Sequence, residues 1–186
     1  MAKRKFGLIC LPFLIVSGFF IFFGMITAGW AKSDPTGDYD AVTHIGLKKR
    51  ITTYGKGDKP DVHGNPFGDF EDAGDTALPL AIVAFVLLCL SFFFTFVRSV
   101  SGKTVKVKVV MRMFVPYKPL RRLIAGISAA LACLACFATL IAWGMLAGNW
   151  LKDYPTFHYD YNFYMTGVAG GVTFIVAIVL CIAQPG

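Results

Sequence analysis

Charge is missing from most of this 186-residue chain. Four stretches contain no Asp, Glu, Lys or Arg: Phe6 to Ala31, Thr76 to Val97, Leu123 to Leu151 and Tyr161 to Gly186. Each exceeds the ~18–20 apolar residues that cross a bilayer core of about 30 Å. Soluble domains spread charge along the chain and are closer to half apolar. Here 56% of residues are hydrophobic and the mean hydropathy is +0.62. The expected fold class is an all-α integral membrane protein: a four-helix transmembrane bundle with a small exterior loop domain.

Acidic residues are absent from two further places, the N-terminus and the 98–122 segment. All 11 lie between Ala31 and Asp75 or between Lys152 and Asp160. The acid-free segments carry Lys3, Arg4, Lys5, Arg98, Lys103, Lys106, Lys108, Arg112, Lys118, Arg121 and Arg122. Lys and Arg are retained on the cytoplasmic face. This distribution predicts a multi-pass protein with both termini cytoplasmic, or matrix-side in an organelle, with the plasma membrane favoured. The net charge of +7 is then a topological signal and no indication of nucleic-acid binding.

No ionisable residue falls in the middle of any of the four stretches. Pumps and proton relays place such costly residues within the membrane because their chemistry requires them. Ser17, Ser91, Ser128, Thr139 and Thr173 offer helix-to-helix bonds but outline no ion path. Transport therefore ranks third among the functional readings.

Cysteine is absent from the loops. Cys10, Cys89, Cys133, Cys136 and Cys181 all fall within the expected helices, so the exterior segment has no disulfide of its own. Cys133 and Cys136 form a CxxC, but a redox pair needs a thiolate in a polar setting. With Ala, Leu and Phe around them, they read as small packing residues. His44, His63 and His158 lack metal-ligand spacing. The carboxylates of Asp34, Asp38 and Asp40, and of Asp69, Glu71, Asp72 and Asp75, lack the order of a calcium loop and read as solvated acidic faces. No nucleophile–base order or glycine-rich phosphate loop is present. The expectation is a non-enzyme with no cofactor and no metal.

Organisation follows from what remains. Helices are expected at about 6–28, 78–97, 123–150 and 164–183. Exterior loops then cover 29–77 and 151–163, and a cytoplasmic loop covers 98–122. The whole chain, 1–186, forms one membrane domain. The first segment reads as a retained helix, because its apolar run exceeds the ~7–15 residues of a signal h-region. Pro12 is expected in the first turns, Asp75-Thr76 as the cap of the second helix, and Trp30 at the headgroup level. Ala41 to Leu47 and Arg50 to Tyr54 suit two short strands of a small sheet.

Small residues let helices approach closely in lipid. Gly24 with Ala28, the stripe Ala125, Ala129, Ala132 and Cys136, Gly144 with Gly148, and Gly167 with Gly171 mark faces for helix packing or partner contact. Lys103, Lys106, Lys108, Arg112, Arg121 and Arg122 are candidates for lipid-headgroup or inner-side contact. The expected partners are membrane lipids and other membrane protein chains, as homo- or hetero-oligomers.

Trp30 after the first helix, followed by Gly46-Leu47, resembles the start of the claudin W…GLW…C…C signature. Lys48 stands where the next Trp would be, and both Cys are missing. Ile51-Thr52-Thr53-Tyr54-Gly55 resembles the middle of the amastin signature, C-[aliphatic]-[TS]-[LF]-[WF]-G…C, with Arg50 in place of the first Cys, Thr53 and Tyr54 off the pattern, and the closing Cys missing. Members of this claudin-like superfamily pack four helices beneath a small exterior sheet. The resemblance implies a structural membrane protein acting by lateral association or exterior contacts. An accessory subunit of a larger membrane complex is the alternative, and a small transporter or channel the third reading.

Overall fold

The structure is a computed structural model that describes residues 2–33, 41–54, 61–64, 68–100, 118–153 and 156–182. Among the described residues, four helices carry the fold: α1 (Ala2–Ile26), α2 (Gly68–Val100), α3 (Lys118–Asp153) and α4 (Tyr161–Ile182). Each is long and apolar enough to cross a membrane, over Leu8–Ile26, Phe70–Val97, Leu123–Gly148 and Tyr161–Ile182. That is the pattern of a multi-pass membrane protein. Leu8, Phe19, Leu134, Met145, Ile175 and Ile182 are among the large apolar side chains on the bundle surface. Such a surface suits lipid as solvent and would be a liability in water.

The helices differ from expectation at their ends. α2 begins at Gly68, ten residues earlier than the expected start at 78, so Asp75-Thr76 is not its cap. Thr76 Oγ1 instead donates to the Asp72 carbonyl within the helix (2.9 Å). The acidic residues Asp69, Glu71 and Asp72 sit near an N-terminus, where a helix dipole favours negative charge. A stretch rich in Gly and Asp thereby becomes helix. Pro12 and Pro79 both fall inside helices. Pro12 is therefore not a first-turn residue, and each proline removes one helical donor. At ~1.5 Å per residue, α2 and α3 run about 50 Å, well beyond a bilayer core.

One seam organises the bundle. On α2, Ala77, Ala81, Ala84, Leu88, Ser91 and Thr95 are all buried. On α3, Ala125, Ala129, Ala132, Cys136, Thr139 and Trp143 are all buried. Both sets alternate steps of four and three, the spacing that keeps one helix face on its neighbour. Ser91 Oγ crosses the seam to the Ala125 carbonyl (3.1 Å). Alanine there lets the two backbones approach closely. Ala132→Leu should therefore overpack the seam and lower stability by about 1–3 kcal/mol. Thermal unfolding in detergent reads this as a clear drop in the midpoint.

Among the described residues, five short strands cap one end of the bundle: β1 (Ala31–Ser33), β2 (Val42–Ile45), β3 (Lys49–Thr53), β4 (Asp61–Gly64) and β5 (Phe157–Tyr159). The order is β4-β3-β2-β1-β5, and every neighbouring pair is antiparallel. The two expected strands appear as β2 and β3. The other three were not expected, because strands of three or four residues leave almost no periodic signal. β5 comes from the short segment between α3 and α4, so one sheet unites both segments at this end. Ala31, Ser33, Ile45 and Thr52 are buried on one face, as alternation of side chains requires. Lys32, His44 and Ile51, aligned by register, share the opposite face with exposed His158.

Candidate interaction surface

The sheet is fastened to the helices through the α1 exit. Trp30 N–H donates to the Ile45 carbonyl (2.8 Å), and the Trp30 carbonyl accepts from Asp160 N–H (3.0 Å). Asn162 N–H donates to the Gly29 carbonyl (2.7 Å). One short stretch thus holds β2 on one side and the start of α4 on the other. The Trp30 indole turns inward and donates through Nε1 to the Gly24 carbonyl (2.7 Å).

The Trp30 ring therefore faces the interior of the bundle and not its outer surface. The ring is only 1% exposed and packs on Trp143 with centroids 5.4 Å apart. Trp143 is itself fully buried and touches Phe70, Tyr159 and Phe163 as well. Tyr159 and Phe163 stack at 4.3 Å. These rings come from α1's exit, α2, α3, β5 and α4. They form a hub in which large apolar area and ring quadrupoles act together.

Polar side chains brace the hub. Asn162, with no exposure, donates through Nδ2 to Thr27 Oγ1 (2.7 Å), tying α4 to the end of α1. Asn162→Ala should cost about 1–3 kcal/mol by removing that buried bond, measured as a lower unfolding midpoint. His44 Nδ1 lies 2.8 Å from Asp160 Oδ2, joining β2 to the turn after β5. Lys48 pairs with Asp75, linking the β2–β3 turn to α2. Both partners are more than half exposed, so this pair contributes little.

Glycines set the closest approaches. A Cβ on Gly74 would fall 1.8 Å from the Leu47 carbonyl oxygen, so α2 and the β2–β3 turn meet backbone to backbone. A Cβ on Gly46 would fall 2.7 Å from the Thr27 carbonyl oxygen and 2.9 Å from Ala28 Cα. Gly46 therefore lets the sheet sit directly on the α1 exit, and Leu47 beside it is buried.

The small residues singled out in the sequence separate into two groups. Gly24 faces Thr166 and the Trp30 ring, and Ala28 is buried beside them. Ala125, Ala129 and Ala132 lie in the α2–α3 seam. Gly144 faces the Phe163 ring, Gly148 faces the Tyr159 hydroxyl, and Gly167 faces Leu140. All of these serve contacts within the chain. Gly171 differs, because a Cβ there would meet nothing within 4 Å. Its neighbour Gly170 makes the close contact instead, with a Cβ position 3.3 Å from Cys136 Cβ. Gly18 on α1 is open like Gly171.

Lys103, Lys106, Lys108 and Arg112 lie outside the described residues, as do Asp34, Asp38 and Asp40. Arg121 and Arg122 fall in the first turns of α3. Among the described residues, no three His, Cys, Asp or Glu side chains gather as metal ligands. The hydroxyls of Thr139 and Thr173 return to carbonyls one turn back, at Ala135 and Ala169. Ser17 reaches the Ala169 carbonyl across α1 and α4 (3.5 Å). The hydroxyls of Thr139 and Thr173 thus stay within their own helices, while Ser17 and Ser91 join neighbouring ones.

What sequence reasoning missed is the hub. Trp143 lies within a long apolar run, where nothing local separates a core ring from a lipid-facing one, and Phe70 lies among Gly, Asp and Glu in a segment that reads as loop. The α2 half of the seam was open to detection through the 4-3 spacing of Ala77, Ala81, Ala84 and Leu88. No protein-family model matches the chain, and no curated protein is similar enough to match.

Proposed function

We propose that this chain is a claudin- or amastin-like structural membrane protein that acts by lateral association and by contacts through its sheet end. The observation that carries this reading is the sheet itself. Strands from two separate interhelical segments join into one antiparallel platform, and a buried aromatic hub fixes that platform to all four helices. A platform so held presents Lys32, His44, Ile51 and His158 in a fixed arrangement. Preorganised surfaces of this kind bind without first losing the entropy of ordering. The Trp30 and Gly46-Leu47 resemblance supports the same reading, since these residues seat the sheet on the bundle.

In this proposal the sheet faces the exterior, both termini are cytoplasmic, and the plasma membrane is the favoured location. An epitope inserted in the 55–60 segment should then be stained on intact cells, while one before Ala2 needs permeabilisation. The reverse pattern would contradict the orientation. Membrane extracts treated with a short cross-linker should yield homo-oligomers of the chain, and failure to do so would count against lateral self-association.

A second reading, an accessory subunit of a larger membrane complex, is favoured by the open positions at Gly18 and Gly171. A partner helix could approach closely at either. Co-purification of other chains in fixed ratio would move the assignment to this reading.

A further inference from the structure

α1 and α2 run antiparallel from the sheet end, where α1 leaves toward Trp30 and Gly74 of α2 meets Leu47. Along their middle they diverge into a groove of about 740 Å³. That volume is within the ~300–1,000 Å³ of small-molecule sites. Its walls include Leu14, Phe19, Phe22, Phe85, Cys89 and Phe93, and they are almost wholly apolar. Gly18 deepens it, because a Cβ there would meet nothing within 4 Å.

The two ends of this helix pair differ in charge. At the sheet end, α2 carries exposed Glu71, Asp72 and Asp75. At the far end, α1 begins with Lys3, Arg4 and Lys5, and Arg98 lies in the last turn of α2. At ~1.5 Å per residue, Arg98 is about 7 Å along the axis from Phe93, and Lys5 about 13 Å from Leu14. Half of a ~30 Å hydrocarbon core is about 15 Å. The groove therefore begins within one leaflet's depth of Lys5 and Arg98, and basic sites between transmembrane helices bind anionic headgroups.

We propose that this groove seats an acyl chain of an anionic phospholipid drawn from the leaflet at the basic end of the helix pair, where the positive charge carried by the α1 start and the α2 end attracts its phosphate. A lipid entering from the sheet end would bring its phosphate to Glu71, Asp72 and Asp75, where like charges repel. An uncharged phospholipid would fill the groove without the attraction at its mouth.

The test is photolabelling of the whole chain in mild detergent, using phosphatidylglycerol with a diazirine in its acyl chain and peptide mapping of the adducts. Adducts should concentrate on the Leu14–Phe22 and Phe85–Phe93 segments. Unlabelled phosphatidylglycerol should compete at roughly tenfold lower concentration than phosphatidylcholine. Replacing Lys3, Arg4, Lys5 and Arg98 by Gln should remove that tenfold difference. Gly18→Phe, placed in open space, should reduce labelling of both segments at least fivefold without lowering the unfolding midpoint. Adducts spread evenly over all lipid-facing helices, or equal competition by the two lipids in the unmodified chain, would overturn the proposal. So would labelling of the groove that falls as protein concentration rises, which would make a second copy the occupant. The competition result needs no variant, so it stands even if Gly18→Phe misfolds.

Discussion

Gly74→Ala should be the most damaging single-methyl change in the chain. The new Cβ would sit 1.8 Å from the Leu47 carbonyl oxygen, against backbone that no side-chain rotation relieves. Either α2 moves away from the β2–β3 turn or the turn lifts off the helix. Overpacking a tight core costs about 1–3 kcal/mol when side chains can adjust, and here they cannot. The expected result is a loss above that range, seen as failure to migrate as a single peak on size exclusion in detergent. Gly171→Ala is the matched control. It adds the same methyl to a helical glycine, but into open space. Its midpoint should stay within a degree or two of the parent.

Trp143→Ala should come next. The ring is fully buried and touches Trp30, Phe70, Tyr159 and Phe163. Truncating a buried Trp costs about 3–5 kcal/mol. The Trp143 Nε1 atom has no hydrogen-bond partner among the described residues, so the loss is one of packing. Trp143→Phe should accordingly recover much of the stability. Trp30 behaves differently, because its Nε1 holds the Gly24 carbonyl. Trp30→Phe keeps a ring but leaves that buried carbonyl without its donor, so it should recover less. Unfolding midpoints of the three variants in one detergent would separate packing from hydrogen bonding.

The four helices were legible because stretches without charge must be long to cross a bilayer, and length survives any local ambiguity. Their ends were not. The first turns of α2 contain Asp69, Glu71, Gly74 and Asp75, which by composition read as loop. Helix forms there because Phe70, Ala73 and Ala77 face the core and the acidic residues meet the helix N-terminus. The sheet was half legible. β2 and β3 each carry three β-branched residues, whereas β1, β4 and β5 take their identity from pairing. Gly46-Leu47 was noticed as a motif. Its physical content is that Gly46 clears the α1 backbone while Leu47 fills the core. The aromatic hub needed the tertiary fold, since its rings lie far apart in sequence. For the interaction surface, the sequence offered a list of small residues. The structure assigns most of them to internal packing, leaves Gly171 facing open space, and adds Gly18, which the sequence did not single out.

The most direct test is the mass and composition of the particle extracted from its native membrane in mild detergent. A contact protein complete in one chain predicts particles whose protein mass is a whole multiple of 20.3 kDa, with no other polypeptide in constant ratio. Recovery in fixed stoichiometry with different chains, through several purification steps, would contradict the account and make this protein one subunit of a larger assembly.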